Sequence, residues 1–225
     1  SIFKKKKYNN NKIFLVEFNR LASSVISYSY LSNVLKKKFK ADIFAYRLTA
    51  KKNFLKDIIW SIISKFYFLN TFNVYRSFGT SNFVNPGNLK ILPKEELKIQ
   101  YYLSKIKTKQ SLLNLTIDSI YIGDLIYDSY LMNYRKPTID LSDINFIRYF
   151  KHSLKTFFAW KNFFLENNVK GVIVSHSVYT LAIPLRIAIS KGIQAYQCSS
   201  LSVYKLSKKN LYAYREFFRY KKVFN

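Results

Sequence analysis

The sequence has a single cysteine, Cys198, so no intramolecular disulfide can staple the fold and a reducing compartment suits the chain. Its only two histidines, His152 and His176, stand without a cysteine or carboxylate at zinc-ligand spacing, and no metal site is expected. No apolar run reaches the roughly 18 residues needed to span a bilayer, and the N-terminus lacks a signal-peptide cleavage pattern. The expected location is therefore the cytoplasm. Gly-x-Gly-x-x-Gly, the P-loop, Gly-x-Ser-x-Gly and Asp-x-Asp are all missing. Their absence argues against a simple dinucleotide enzyme, a nucleotide triphosphatase, an α/β-hydrolase and a single-domain, metal-dependent sugar transferase. Acidic residues are also scarce, 12 against 38 Lys and Arg, which leaves a net charge of +26.

That charge invites a nucleic-acid partner, because clustered Lys and Arg release counterions from phosphates. The excess is mostly Lys, however, and it travels with Asn, Ile, Phe and Tyr, the residues of adenine- and thymine-rich codons. No RNP, zinc-finger or basic-zipper pattern accompanies it. The runs Lys4 to Lys7, Lys36 to Lys38 and Lys208-Lys209 fall at different element ends, so the charge is expected on several faces rather than in one groove. Nucleic acid is set aside as a partner. An anionic membrane surface fits better, since each nearby Lys or Arg is worth about 1 kcal/mol there.

The chain is long enough, at 225 residues, to bury a substantial core. Ile13 to Glu17 is a short apolar run between Asn and Lys clusters, as expected of a strand covered on both faces. Leu21, Val25, Leu31, Val34 and Leu35 then recur at near-helical spacing up to the Lys36 to Lys38 run, and Asp42 to Arg47 reads as a strand. This is a strand, helix, strand unit with parallel pairing and a right-handed crossover. Phe54 to Phe66 carries an i, i+4 double stripe of a core-facing helix, with an interfacial membrane helix around Trp60 as the alternative. Phe72 to Phe78 has β character, and Gly79 to Asn82 and Asn85 to Asn88 are turn material. A helix starts at Pro93, and a long one follows Ser142 and ends near Glu166 to Asn168.

Next comes Gly171-Val-Ile-Val-Ser-His-Ser177, a strand that delivers His176 to its carboxyl end. Pro184 falls in the first turn of the following helix, Gly192 is a natural C′ residue and Ile193 to Cys198 is again a strand. With no repeat or low-complexity linker, residues 1–225 read as one α/β domain, three-layered and Rossmann-like, with a mainly parallel sheet. The chain opens on Ser1 rather than Met and ends at Asn225 without a cap or polar tail, so it reads as a portion of something longer.

Ligands of open α/β sheets bind outside the carboxyl ends of the strands, which makes His176 the first site candidate. An imidazole there can take a proton from a hydroxyl nucleophile near neutral pH. Ser175 and Ser177 flank it and Tyr179 borders the same crevice, whereas Arg186 reads as structural. The ordinary alternative is a loop histidine held by local hydrogen bonds. Glu17 and Asn19, at the end of the first strand, form another set, with helix capping as their ordinary role. The remaining set runs from Gly123, where the backbone turns tightly, through Asp124, Tyr127 and Asp128 to Arg135. If this segment is helical, Asp124 and Asp128 share a face, and two carboxylates beside aromatic rings suit sugar hydroxyls. Alternatively Asp124 caps the helix and Asp128 pairs with a basic residue.

Gly123-Asp-Leu-Ile-Tyr-Asp-Ser-Tyr130 before Pro137-Thr-Ile-Asp140, with Val174-Ser-His-Ser-Val-Tyr179 and Gly192 ahead of a strand, resembles bacterial capsular and surface-polysaccharide biosynthesis proteins of the two-domain, GT-B-like glycosyltransferase type. The resemblance implies an acceptor-side domain, the first half of that architecture, with the donor-binding domain downstream. It implies transfer from a nucleotide sugar to a glycan acceptor without an obligatory metal, with His176 or Asp124 approaching the acceptor hydroxyl. No cofactor is expected in this portion; the nucleotide sugar would be held mainly by the other domain. The rival reading is a noncatalytic basic module that docks on a membrane or nucleic acid.

Overall fold

The computed structural model describes residues 8, 11–19, 22–46, 70–199 and 202–212. Strand β1, Lys12–Glu17, is buried from Ile13 onward, as a strand covered on both faces must be. Helix α1, Ala22–Phe39, crosses over to β2, Asp42–Tyr46, which pairs parallel to β1 with Glu17 opposite Tyr46. Helix α2, Asn70–Ser77, leads to β3, Thr80–Val84, parallel to β2. A helical excursion follows: α3, Pro93–Lys105; α4, Lys109–Leu113; a hairpin of β4, Thr116–Ile117, and β5, Ile120–Tyr121; α5, Gly123–Tyr134; and α6, Ile144–Glu166. The chain re-enters the sheet at β6, Asn168–Val174, parallel to β1 on the side away from β2. Helix α7, Ile183–Ser190, returns it to β7, Gln194–Cys198, also parallel, and β8, Val203–Lys205, closes the edge antiparallel. The sheet order is β3-β2-β1-β6-β7-β8.

Period-two alternation divides the apolar residues of the strands between two cores. Phe14, Val16, Ile43, Ala45, Ile173 and Cys198 pack with Tyr28 and Leu35 of α1, and with Tyr75 and Phe78 at α2. Ile13, Leu15, Val172, Val174 and Ala195 belong to the other core, with Phe150, Leu154, Phe157 and Trp160 of α6 and Ile183 and Ile187 of α7. The fold is thus α/β, with a mostly parallel six-stranded sheet between helical layers, as the alternating pattern predicts. Gly192 stands just past α7 with φ +68°, in the C′ role expected of it. Among the described residues, no helix is long and apolar enough to cross a membrane.

Several expectations are corrected. Phe72 to Phe78 is not a strand: Asn70–Ser77 is helical, with Tyr75 and Phe78 buried three apart while Val74 is exposed. Packing on the sheet overrides the β propensity of Val, Tyr and Phe. Gly79 takes φ +95° and turns that helix into β3, so Thr80 to Asn82 is strand rather than turn. Helix α1 is rotated from its expected orientation, for Val34 is exposed and Tyr28, Ser32 and Leu35 face the sheet. Lys36 is not a solvated end charge but is 5% exposed, and burial pulls its ammonium below the usual lysine range while Asp42 opposes. The Phe54 to Phe66 stripe lies outside the described residues.

Candidate functional site

Strands β1 and β6 are neighbours, yet the chain leaves them in opposite directions, toward β2 and toward β7. Their carboxyl ends therefore flank the switch point at which open α/β sheets receive ligands. Glu17 closes β1 and Ser175 and His176 follow β6. The Glu17 carboxylate, only 2% exposed, accepts the Ser175 backbone N–H at 2.6 Å and the Ser175 hydroxyl at 2.8 and 3.0 Å. Tyr28 of α1 donates to it at 3.3 Å and the Asn19 amide reaches it at 3.5 Å. The Ser175 oxygen lies 2.8 Å from His176 Nδ1, and His176 itself is exposed. Tyr75 ties the strand end down, donating to the Glu17 carbonyl at 2.9 Å and accepting from the Asn19 N–H at 2.7 Å.

Proton counting gives this chain a direction. Ser175 has one hydroxyl proton, and an ionised Glu17 takes it. The serine oxygen can then meet His176 only as an acceptor, so the imidazole carries its proton on Nδ1 and its lone pair on Nε2. A protonated Glu17 reverses the sequence, donating to Ser175, which donates to Nδ1 and leaves the proton on Nε2. The protonation of a buried carboxyl thus selects the tautomer of an exposed imidazole.

Burial pushes the Glu17 carboxyl above its ordinary 4.5, against hydrogen bonds from Ser175 and the nearby His176 charge. A carboxyl raised in the folded state binds more protons there than in the unfolded chain. Its contribution to stability is complete below the unfolded value and is lost as pH rises through the folded one. Glu17→Gln is expected to flatten that decline in thermal melts taken from about pH 4 to pH 8. A variant whose pH profile parallels the parent's would show that Glu17 is not the group responsible.

Beyond His176 the chain is strained. Tyr179 has φ 65° and ψ 166°, a region that is essentially glycine's, and holding a side chain there costs about 1–3 kcal/mol. The half-buried Tyr179 opens the turn Thr180–Ala182, and the Thr180 N–H donates at 2.7 Å to Ser129 of α5. That bond docks α5 on the loop carrying His176. Ser177 is buried in the same loop. Tyr179→Gly should relieve the strain at a smaller entropic cost, raising the melting temperature by about 2–4 °C. A lower melting temperature would mean that the tyrosine ring contributes more than the strain removes.

The Gly123 set is helical, as the Asp124 to Tyr134 pattern anticipates, but its reasons differ. Gly123 is required by close approach rather than by a tight turn, since a Cβ there would lie 2.0 Å from the Leu112 carbonyl oxygen. The N-cap position is Ile122, and Asp124 is 8% exposed inside an ion pair with Arg186 of α7 at 2.7 Å. Tyr212 donates to the same Asp124 oxygen at 2.5 Å, and Arg186 also donates to the Tyr121 carbonyl at 3.2 Å. The guanidinium lies 4.9 Å from the Tyr212 ring centre and 5.5 Å from that of Tyr121. Asp124 is thus engaged in holding α5, α7 and residue 212 together, and Arg186 is structural as its position suggested. Asp128 is half-buried, and burial first, then Asp124, pushes its carboxyl up. Tyr127 is buried beneath the Lys109 ammonium, and the exposed Arg135 closes the far end of α5 in the left-handed conformation.

Tyr28, Tyr75 and Ser129 carried no sequence signal as site residues, nor did Gln197. Among the described residues, the Gln197 side chain, 1% exposed at the carboxyl end of β7, finds no hydrogen-bond partner for either its nitrogen or its oxygen. At the opposite end of the sheet, Lys12, Asp42, Ser81, Asn82 and Asn168 border a polar concavity of about 520 Å³ that none of the candidate residues reaches. Among the described residues, no three His, Cys, Asp or Glu side chains converge as a metal site would require. No family model, no curated protein and no solved structure matches the chain.

Proposed function

We propose that this domain is the acceptor side of a sugar-transfer enzyme in which His176 takes the proton of an acceptor hydroxyl. The observation that carries the reading is the hydrogen-bonded chain from buried Glu17 through Ser175 to exposed His176, at the switch point between β1 and β6. With Glu17 ionised, Nε2 is the basic nitrogen and stands on an exposed side chain at the mouth of the sheet. As the acceptor oxygen bonds to the anomeric carbon of a nucleotide sugar, its proton passes to Nε2 and the sugar–phosphate bond breaks toward the nucleotide. Positioned base catalysis of this kind contributes about 10²- to 10⁴-fold in rate. The partner domain that would hold the nucleotide, and the pairing into a GT-B-like whole, belong to the same proposal. A glycan acceptor would lie along the rim formed by Tyr179 and α5, where Asp128 offers a carboxyl to sugar hydroxyls. The surface polysaccharide class follows from the sequence resemblance alone.

The test is release of nucleotide from a panel of uridine, guanosine, thymidine and cytidine sugar nucleotides by the intact protein, with and without oligosaccharide acceptors. Release from one donor that depends on His176 supports the reading. Failure of every donor, or release indifferent to His176, removes it.

A further inference from the structure

We infer that Ser129 of α5 is a positioning residue for His176, acting through the strained peptide between Tyr179 and Thr180. Its catalytic consequence rests on the sugar-transfer reading; its geometry does not. Among the described residues, the loop that carries His176 is pinned at its start by Glu17, which holds the N–H and the hydroxyl of Ser175. Two buried side chains pin its end. Tyr46 of β2, 1% exposed, donates to the Leu181 carbonyl at 3.3 Å, and Ser129, also 1% exposed, accepts the Thr180 N–H at 2.7 Å. Residues 176–179 span the gap between these anchors, so the imidazole is held no more firmly than they are.

The Tyr179–Thr180 peptide is gripped on both edges. Its carbonyl accepts the Ala182 N–H at 3.0 Å, and its N–H reaches Ser129. That orientation gives Tyr179 its ψ of 166° at φ 65°. Turning ψ back to about 30–60° would bring the residue into the left-handed region, where side chains are better tolerated, and release the strain. The same rotation swings the Thr180 N–H away from Ser129, so the serine oxygen opposes the relaxation. The Ser129 proton points to the Thr180 hydroxyl, 3.4 Å away. A serine inside a helix can instead bond back to the preceding turn, as Ser153 does to the Tyr149 carbonyl at 2.9 Å; Ser129 turns its hydroxyl to the loop. With alanine at 129 the peptide rotates, residues 176–179 slacken, and the contact between Ser175 and His176 Nδ1 is made only part of the time. The imidazole proton then returns toward Nε2, the form that a histidine side chain in water favours, and the basic nitrogen is no longer the outer one.

Nitrogen-15 NMR of the intact protein, above the pH at which Glu17 ionises, reads the tautomer directly. The chain has two histidines, and His176→Ala identifies the relevant signals. The parent should carry its His176 proton mainly on Nδ1. Ser129→Ala should move it toward Nε2 and lower the turnover number about tenfold, at an unchanged Michaelis constant for the donor. Ser129→Cys, a weaker acceptor, should move it the same way by less, which keeps the test open if the alanine variant folds poorly. Ser153→Ala removes a buried hydroxyl bonded within α6 and should alter neither reading. In a Tyr179→Gly background, where the same backbone carries no strain, Ser129→Ala should shift the tautomer less than about half as far. The role given to Ser129 is overturned if the parent is mainly Nε2–H, if both Ser129 variants keep the parental tautomer, if Ser153→Ala shifts it equally, or if Tyr179→Gly does not soften the effect. A tautomer shift in a protein without turnover would remove the sugar-transfer reading and keep Ser129 as the residue that holds the imidazole. Turnover that needs His176, with a tautomer indifferent to Ser129, would do the reverse.

Discussion

On the sugar-transfer reading proposed above, replacing His176 by alanine is expected to lower the turnover number of the intact protein by at least about a hundredfold, the lower end for loss of a general base, with the melting temperature almost unchanged. The two halves of the expectation have separate causes. The imidazole is exposed and its one hydrogen bond is to Ser175, which keeps two contacts to Glu17 when the ring is gone, so folding loses little. The transition state loses the only imidazole at the strand ends. Donor binding should change little, because the reading places the nucleotide on another domain. Glu17→Gln separates a base set by its tautomer from a ring that merely fills space: it should shift the pH profile of turnover while leaving the Michaelis constant for the donor near its parental value. Near-normal turnover in His176→Ala, or outright unfolding, would end the catalytic assignment.

How much of this was legible in the sequence depends on the range of the contact. The strand before His176 could be read because its apolar run ends abruptly in polar residues, and the position after it is a local property. Glu17 and Asn19 could be marked as a strand end, but what makes Glu17 matter is Ser175, 158 positions away, and no local pattern encodes that meeting. Tyr28 reads as one more aromatic of a helix, since only the fold turns its hydroxyl to a carboxylate. Helix α1 was misoriented for a related reason: it is apolar on more than one side, and the face against the sheet uses serines. Ser32 is fully buried because its hydroxyl bonds back to the Tyr28 carbonyl, leaving Ile26, Tyr30 and Val34 outside. The spacing of Asp124 and Asp128 shows only that the two would share a face if the segment were helical, as it is, and the counterion of Asp124 lies 62 positions on, in Arg186.

Asp124→Ala should be the most damaging single change to stability among the candidate residues. It would leave the Arg186 guanidinium, 2% exposed, with the Tyr121 carbonyl and two aromatic faces but no counterion. Removing one partner of a buried pair costs about 3–5 kcal/mol, because the remaining charge cannot recover its hydration. For a chain of this size that lowers the melting temperature on the order of 10 °C. Arg186→Met should cost less than this, since Asp124 keeps the Tyr212 hydroxyl as a hydrogen-bond donor. Combining Asp124→Leu with Arg186→Met should recover much of the loss, as replacing both members of a buried pair by apolar side chains commonly does. Denaturant unfolding of the parent, Asp124→Leu, Arg186→Met and their combination measures the coupling. A cost below about 1 kcal/mol for Asp124→Ala would place the pair among weak surface bridges. If that well-folded variant also lost turnover, Asp124 would return as an acceptor-side group, and the structural role given to it here would be withdrawn.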